Sequence, residues 1–344
     1  MLESIYGVGI APEQARVVLV PVPWEATTSY GRGTANGPEA IAAASHQVDL
    51  FDLELASFGV AEPYRAGLAL LPIEPEVAQN GAEAAERALR VIAAYDETRP
   101  GEYCASELAE LARVNELSTW LDGWLELEVL GWLAKGKLVG VVGGDHSVPF
   151  GSIKAHATRY PGLGVLHFDA HADLRVAYQG FKGSHASIMH RVIDELPLVS
   201  KLVSVGVRDF CQEEYRAVVE SNGRIQAFWD VTLVRLQQSG TSFAELASRI
   251  AAALPQDVYV SFDIDGLDPT LCPHTGTPVP GGLTFAQATC VLAAVVQSGR
   301  RIVGFDIVEV APGPDGDEWD ANVGARLLHK MIGYALASQR SDQE

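Results

Sequence analysis

Short runs of β-branched and other apolar residues alternate with helical patterns throughout the second half of this chain. Six such runs occupy residues 138–144, 163–169, 202–209, 225–230, 258–265 and 301–310, and an earlier one, VVLVP, occupies 17–21. Near-continuous apolar strands separated by helices are typical of a parallel sheet covered on both faces. The alternation therefore predicts an α/β fold in which three layers, α/β/α, enclose a mostly parallel sheet.

The 344 residues show no repeat, low-complexity tract or linker, and 1–344 is interpreted as one domain. Segment 74–135 is helical in pattern and is interpreted as an insertion. Within it Leu117, Trp120, Leu121 and Trp124 recur at the spacing of one helix face, which indicates core packing rather than a cofactor site. Residues 338–344 have the composition of a frayed tail.

The formal charge of −19 at pH 7 makes nucleic acid and anionic membranes poor partners and mildly favours a cationic small molecule. The four cysteines form no CxxC pair, which favours reduced thiols over a disulfide framework. The sequence has no evident secretory signal, and no stretch approaches the roughly 20 apolar residues of a membrane span. We therefore expect a cytoplasmic protein.

Acidic and histidine side chains gather where four of the predicted strands end. Ligands bind at the carboxyl ends of strands in open parallel sheets. Each motif alone is a weak signal, because an Asp-His pair is a common cap of a turn or helix. Four motifs at one edge of a sheet predict a shared site. In chain order they supply Asp145 and His146, then Asp169, His171 and Asp173, then Asp263 and Asp265, and finally Asp306 and Glu309.

Asp169, His171 and Asp173 alternate with small residues, so on an extended strand they would share one face. Fully extended, the two aspartates would lie roughly 13 Å apart, which is too far for one ion. We therefore expect the chain to curl just after the strand.

Clustered carboxylates in a cleft destabilise one another unless cations lie between them. Two divalent cations would balance the charges of four aspartates, and oxygen and imidazole ligands without cysteine suit Mn²⁺ better than a structural Zn²⁺. A pair of metal ions can deprotonate a shared water to give a hydroxide nucleophile. Hydrolysis is the predicted reaction class.

The segments GGDHS, DAHAD and SFDIDGLDP resemble the three signature motifs of the ureohydrolase family of arginases, agmatinases and formimidoylglutamases. The resemblance extends to GTPVPGGLT, FDIVEVAPG and YGRGTANGPEAI. It implies an arginase-like sheet of eight mostly parallel strands, a binuclear manganese centre and a homo-oligomer, either a trimer or a hexamer. Ligand types alone leave Ni²⁺, Fe²⁺ and Co²⁺ open.

The resemblance also implies two sets of metal ligands, and no ligand position is substituted. Asp169 and Asp263 would belong to both sets and bridge the ions. The sets are His146, Asp169, Asp173 and Asp263 for one ion, and Asp169, His171, Asp263 and Asp265 for the other.

The resemblance places three catalytic candidates, His185, Glu309 and Asp173. His185 matches a proton-shuttling histidine, and a near-neutral histidine can protonate a departing amine. Glu309 matches a carboxylate that binds a guanidinium through two parallel hydrogen bonds. Thr277 is predicted to contact the nitrogens of the substrate.

The substrate itself stays open. Arginases carry an asparagine where this chain has Arg175, so arginine is not the first choice. An agmatine-like guanidino compound, hydrolysed to urea and an amine, fits Glu309 and His185 best. A formimidoylglutamase-like enzyme is the alternative, with Arg175 paired to a substrate carboxylate. Guanidinobutyrate is a further option, and so is guanidine, for which Tyr178 or Phe181 would fill part of the pocket.

Two rival classes remain from the residues alone. One is a deacetylase-like enzyme with a single zinc, against which the complete set of six ligands argues. The other is a metal-binding regulatory homologue without turnover.

Overall fold

The computed structural model describes residues 4–28, 30–95 and 101–339. Within these ranges eight strands form one sheet, and every neighbouring pair is parallel. The strands are β1 (Val17–Pro21), β2 (Leu68–Leu70), β3 (Leu138–Val142), β4 (Leu163–Phe168), β5 (Val199–Val205), β6 (Ile225–Phe228), β7 (Asp257–Asp263) and β8 (Arg301–Val308). Their order across the sheet is β2-β1-β3-β8-β7-β4-β5-β6.

Eleven α-helices connect and flank the strands in the described residues. They are α1 (Gly37–Ser45), α2 (Leu53–Ala56), α3 (Pro75–Ala94), α4 (Ala105–Ala134), α5 (Phe150–Arg159), α6 (Ile188–Glu195), α7 (Gln212–Glu220), α8 (Asp230–Gln238), α9 (Phe243–Ala252), α10 (Phe285–Gln297) and α11 (Trp319–Ser338). Short 3₁₀ turns include His185–Ser187 and Ile264–Gly266. None of the helices described is both long enough and apolar enough to cross a membrane.

Alternate residues of β1 show why helices cover both faces of the sheet. Val17 and Leu19 pack in a core cluster with α1, α10 and α11, whereas Val18 and Val20 pack in a second cluster with α3 and α4. Since side chains alternate across a strand, each face needs its own layer. The three-layer prediction is confirmed, and the sheet is entirely rather than mostly parallel.

The four strands that carry the polar motifs are neighbours at the centre of the sheet, in the order β3-β8-β7-β4. Adjacent parallel strands lie about 4.8 Å apart, so residues that follow their carboxyl ends meet over a short distance. This order brings motifs separated by more than a hundred residues to one edge of the sheet.

Three details differ from the sequence predictions or refine them. Strand β2 was not anticipated, because three residues at a sheet edge give almost no periodic signal. The helical pattern of segment 74–135 left the number of helices open, and α4 is a single helix of 30 residues. Ser338 is not frayed: it ends α11, is buried, and its hydroxyl accepts a hydrogen bond from Ile302 N at 3.0 Å. Residues 340–344 of the predicted tail lie outside the described residues.

Candidate metal centre and substrate pocket

The first ligand group is arranged around the imidazole of His146, which follows β3. Its Nδ1 atom lies 2.9 Å from Asp169 Oδ2, 3.2 Å from Asp173 Oδ2 and 3.1 Å from Asp263 Oδ2. All four side chains are buried, with exposed fractions of 5% or less. The four residues predicted to hold one ion therefore converge on one point.

The second group is arranged around His171. Its Nδ1 atom lies 3.3 Å from Asp169 Oδ1 and 3.1 Å from Asp265 Oδ2. Asp169 thus presents one carboxylate oxygen to each group, the arrangement required of a bridging ligand. Asp263 contacts the second group through its other oxygen, which accepts a hydrogen bond from Asp265 N at 2.8 Å.

The backbone curls directly after β4, as predicted from the extended spacing. His171 N donates to Asp169 Oδ1 at 2.6 Å, and Asp173 adopts a left-handed conformation with φ of +54°. Such a conformation is uncommon for a residue other than glycine and is typically found where a site requires it. It turns the Asp173 carboxylate back toward His146.

Burial and mutual repulsion dominate the electrostatics of the cluster. Burial and neighbouring carboxylates raise the pKa of Asp173 and Asp263 well above the ordinary range. Burial also raises the pKa of Asp169, but the surrounding imidazoles outweigh it and hold that pKa well below its ordinary value. Burial lowers the pKa of His171, whereas Asp265 and Asp169 raise it, to about 12 overall. Positive charge among these buried carboxylates therefore stabilises their ionised form.

These residues fit divalent cations. His146 Nδ1 is buried and has no hydrogen-bond partner among the described residues, although three carboxylate oxygens lie within 3.2 Å of it. A nitrogen and several carboxylate oxygens in such an arrangement form an N/O donor set for a borderline or hard metal ion. Two sets of potential ligand atoms satisfy this description, His146, His167, Asp169 and Asp173, and separately Asp169, His171 and Asp265.

Both ring nitrogens of the buried His167 have hydrogen-bond partners. Nδ1 lies 3.1 Å from Ser204 Oγ, and Nε2 lies 2.8 Å from Asp169 Oδ2. It therefore lies beside the cluster and orients Asp169, which alternation along β4 already places on the same face.

The contacts that orient His146 were not predicted from the sequence. Its Nε2 atom lies 3.0 Å from Ser261 Oγ, and that hydroxyl donates to Asp306 Oδ1 at 3.1 Å. Metal-ligating histidines are commonly oriented in this way through the second ring nitrogen. The alternation of side chains along β7 could have indicated this contact, because it places Ser261 on the same face of the strand as Asp263.

Arg208 was also missed. All of the hydrogen bonds from its guanidinium go to backbone carbonyls, those of Gly206, Asp265, Leu267 and Val279. Its backbone N–H donates to Ala170 O at 2.7 Å. Arg208 therefore ties the loop that carries Asp265 to the loop after β4.

Glu309 follows β8 and has a left-handed backbone, with φ of +62°. Its Oε1 atom accepts a hydrogen bond from His146 N at 2.8 Å, and its carbonyl accepts one from Thr275 Oγ1 at 2.8 Å. Burial, followed by the nearby Asp145, raises the pKa of Glu309 well above its ordinary range. The carboxylate is thus fixed, desolvated and suited to a cationic ligand.

His185 lies on the wall of the same pocket, at the start of a 3₁₀ turn. Its Nδ1 atom is 3.3 Å from Thr27 Oγ1, which also accepts from His185 N at 3.3 Å. The ring of Tyr178 lies edge-on at 5.9 Å. Burial, together with His171 and His146, lowers the pKa of His185 to about 4.

The pocket of about 190 Å³ brings the predicted catalytic and substrate residues together. Thr277 lines it and its hydroxyl lies 3.4 Å from Asp265 Oδ2. Arg175 lines it too, but its Nε atom is 3.9 Å from Glu214 Oε2 and its guanidinium is 5.2 Å from the Tyr178 ring. Asp209, Phe210 and Glu214 are further lining residues that the sequence analysis missed.

A profile of the arginase family matches residues 15–333. The chain belongs to the arginase family. It is 33% identical to an N(1)-aminopropylagmatine ureohydrolase of Thermus thermophilus over 322 residues, which cover 93% of this chain and 90% of that one. It is 34% identical to the agmatinase of Bacillus subtilis over 204 residues, or 58% of this chain and 64% of that one. The predicted class, a ureohydrolase acting on C–N bonds, is confirmed.

The fold agrees with solved structures. The agmatine ureohydrolase of Thermoplasma volcanium superimposes with a TM-score of 0.73 at 22% identity, covering 99% of this chain and 97% of that one. The arginase-like three-layer architecture predicted from the motifs is thereby confirmed.

Proposed function

We propose that this protein hydrolyses the guanidino group of an agmatine-like substrate to urea and an amine, using two divalent cations. The observation that carries the proposal is that Glu309, a buried carboxylate held by the backbone of His146 but outside the ligand cluster, shares a pocket with His185 and with residues of both ligand groups.

The two ions would be held by the six predicted ligands, with Asp169 and Asp263 shared. When bound, such ions supply Lewis acidity and lower the pKa of a water molecule, so that a nucleophile exists near neutral pH. The unhydrogen-bonded Nδ1 of His146 among three carboxylates supports this assignment. Asp173 lines the pocket as well as facing His146, so it serves as ligand and as a catalytic carboxylate.

Glu309 would orient the substrate. A buried carboxylate with a raised pKa ionises when a guanidinium approaches, and the planar cation then binds it in two parallel hydrogen bonds. The hydrogen bond from His146 N holds one carboxylate oxygen, which fixes the distance between the guanidinium carbon and the ligand cluster. Thr277, from the neighbouring loop, would contact a guanidinium nitrogen.

His185 would deliver the proton on which release of the amine depends. Addition of water to the guanidinium carbon gives a tetrahedral species, and cleavage of one C–N bond leaves urea only if the departing nitrogen gains a proton. The ring of His185 is held by Thr27 on the pocket wall, within the same cavity as Glu309. Because burial lowers the pKa of His185 to about 4, the ring is neutral near pH 7, and it would first take up the proton that water loses and then pass it to the departing nitrogen.

N(1)-aminopropylagmatine is a second candidate substrate. The relative that covers nine-tenths of both chains is named for it, whereas the agmatinase match covers 58% of this chain. Asp209 also lines the pocket, and its carboxylate suits an additional amine. A formimino substrate is less well supported, because Arg175 already has Glu214 beside it.

Manganese as the native metal, a trimeric or hexameric assembly and a cytoplasmic location belong to this proposal as well. The cysteine-free N/O donor set supports Mn²⁺, with Ni²⁺, Fe²⁺ and Co²⁺ as the alternatives to test. The charge of −19 supports a small cationic substrate rather than nucleic acid or an anionic membrane as the partner.

The test is urea release after loading with each of these metals, against agmatine, N(1)-aminopropylagmatine, arginine, guanidinobutyrate, guanidine and formimidoylglutamate. We expect metal-dependent urea release that is fastest with one of the two agmatine compounds. Release of formamide from formimidoylglutamate, or no turnover with any metal, would refute the proposal. Two ions per chain by elemental analysis would separate it from a single-zinc enzyme.

A further inference from the structure

The loop that carries Tyr178 and His185 rests on the helical pair α3 and α4, which contributes no residue to the pocket described above. Phe181 is the anchor of this loop and is fully buried. Among the described residues, the rest of its core cluster comes from the helical pair and from the segment that joins the two helices. These residues are Ala88, Val91 and Val114, with Ile92, Tyr103 and Leu111 at the edge.

One face of α4 supports the loop at its start. A methyl group added at Gly180 would lie 2.9 Å from Leu111 Cδ2, so the backbone passes directly over that side chain. The backbone N–H of Lys182 donates to Asn115 Oδ1 at 3.0 Å.

The same face supports the loop further along. A methyl group added at Gly183 would lie 2.8 Å from the Cβ atom of Ser118. Beyond the loop, Arg191 donates to Asp122 Oδ2 at 2.7 Å. Positions 111, 115, 118 and 122 follow the spacing of a single helix face, so α4 supports the loop over three helical turns.

A tight turn transmits this support to Tyr178. Tyr178 N donates to Phe181 O at 3.1 Å, and Phe181 N donates to Tyr178 O at 2.9 Å. Gln179 and Gly180 between them have φ of +49° and +84°, as a two-residue hairpin turn of type I′ requires. The hydroxyl of Tyr103 donates to Gln179 O at 2.9 Å. With Phe181 buried in the helical pair, Tyr178 has little freedom to move.

The ring of Tyr178 lies between two pocket residues of different function. It is 5.9 Å from the ring of His185 and 5.2 Å from the guanidinium of Arg175, whose side chain is 40% exposed at the mouth. Under the proposed function His185 protonates the leaving nitrogen, and the tail of the substrate is bonded to that nitrogen. The tail therefore starts beside Tyr178.

We propose that Tyr178 selects the substrate by contacting the alkyl chain on the leaving nitrogen, and that the helical pair holds it there through Phe181. This inference rests on the proposed function and specifies its substrate class, a guanidino compound with an unbranched alkyl chain that ends in an amine. An aromatic face suits both parts of such a chain, by apolar contact and by cation–π attraction.

The test compares kcat/KM for agmatine with kcat/KM for methylguanidine, which has the same reacting group but no tail. In Tyr178→Ala we expect the ratio to fall roughly tenfold, chiefly through a higher KM for agmatine. Tyr178→Phe keeps the ring and is expected to retain the wild-type ratio within about twofold. Equal losses on both compounds in Tyr178→Ala would overturn the selecting role.

The role of the helical pair is tested by Phe181→Leu, which keeps an apolar side chain in the cluster, and by Gly180→Ala, which pushes the turn away from Leu111. Both are expected to lower the ratio, and the double variant of Tyr178→Ala with Phe181→Leu is expected to match Tyr178→Ala alone. Leu127→Ala, an exposed position on α4 away from the loop, is the matched control and should leave the ratio unchanged.

The outcomes separate the two proposals. No urea from any guanidino compound in the wild-type protein would overturn the proposed function and this inference with it. Normal turnover with additive effects of Tyr178→Ala and Phe181→Leu, or with the wild-type ratio in Tyr178→Ala, would overturn this inference alone.

Discussion

The floor and the outer wall of the pocket are built in different ways. The floor consists of residues that follow four adjacent central strands. Backbone N–H groups and imidazoles hold its carboxylates, and the hydroxyl of Ser261 lies against the imidazole of His146. The wall at Tyr178 and His185 belongs to a loop whose main anchor, Phe181, lies among apolar side chains of α3 and α4. The floor thus depends on the sheet and on polar contacts, and the wall depends on helix packing.

We infer from this difference that the floor determines the reaction and that the wall determines which substrate is accepted. Under the proposed function, a ligand cluster held by the central sheet has little freedom to vary without loss of metal binding. A loop held by a peripheral helical pair can change with that pair, while the floor stays intact. We therefore expect changes in the floor to affect every substrate and changes in the wall to discriminate between substrates.

Asp263→Asn should have the largest effect, because it removes a shared charge from the floor. We expect loss of bound metal and a fall in urea release on the order of a thousandfold for every substrate. Metal content by elemental analysis and a circular dichroism spectrum measure the two parts of the prediction. Asp268→Asn is the matched control, since the Asp268 carboxylate accepts hydrogen bonds only within its own turn, from Thr270. Normal turnover in Asp263→Asn would contradict the assignment of the floor.

Glu309→Gln tests the part of the floor that contacts substrate rather than metal. The amide keeps the shape but loses the charge, so we expect kcat/KM to fall roughly ten- to a hundredfold, mainly through KM, with metal content unchanged. Steady-state kinetics with agmatine and with methylguanidine should show similar losses. Glu318→Gln, an exposed change nearby, serves as the control. Unchanged kinetics in Glu309→Gln would place the guanidinium elsewhere.

Arg208→Lys tests whether support from outside the ligand set matters to the floor. Lysine keeps the charge but cannot reach four carbonyls in the same fork, so the Asp265 loop should loosen and metal affinity should fall about tenfold. Titration with Mn²⁺ measures this affinity. Arg224→Lys is the control, because Arg224 also donates to backbone carbonyls, those of Leu196 and Val199, far from the ligands. Equal loss of affinity in both variants would reduce the role of Arg208 to general stability.

The floor was largely predictable from sequence because its signals are local. Alternation over Asp169, His171 and Asp173 gives the shared face, and the carboxyl ends of apolar strands give the edge at which ligands gather. The curl at Asp173 followed from the extended length alone. Asp306 was noted at a strand end, but its link to His146 through Ser261 depends on how β7 and β8 lie side by side, which no local pattern specifies.

The anchoring of the wall was not predictable, although the resemblance did predict His185 as a site residue. Segment 74–135 showed its helices through periodicity, yet nothing in that pattern says that Phe181 packs against it. The partners of Phe181 lie between residues 88 and 114, and the contact is apolar, without a motif. Arg175 shows that residue type alone can also suggest the wrong partner. Its positive charge suggested a substrate carboxylate, whereas its neighbours are Glu214 and Tyr178.

Tyr103→Phe should have the smallest effect, and it is the most sensitive test of whether the helical pair supports the wall alone. The variant keeps the ring that packs beside Gly180 and loses only the hydrogen bond to Gln179 O, worth about 1 kcal/mol or a factor of about five. We therefore expect the agmatine-to-methylguanidine ratio to fall twofold to fivefold, with metal affinity unchanged. Tyr64→Phe, which loses an equivalent bond to Glu62 away from the pocket, should leave the ratio at the wild-type value. A change in metal affinity in Tyr103→Phe would contradict the separation, since it would mean that the helical pair supports the floor as well as the wall.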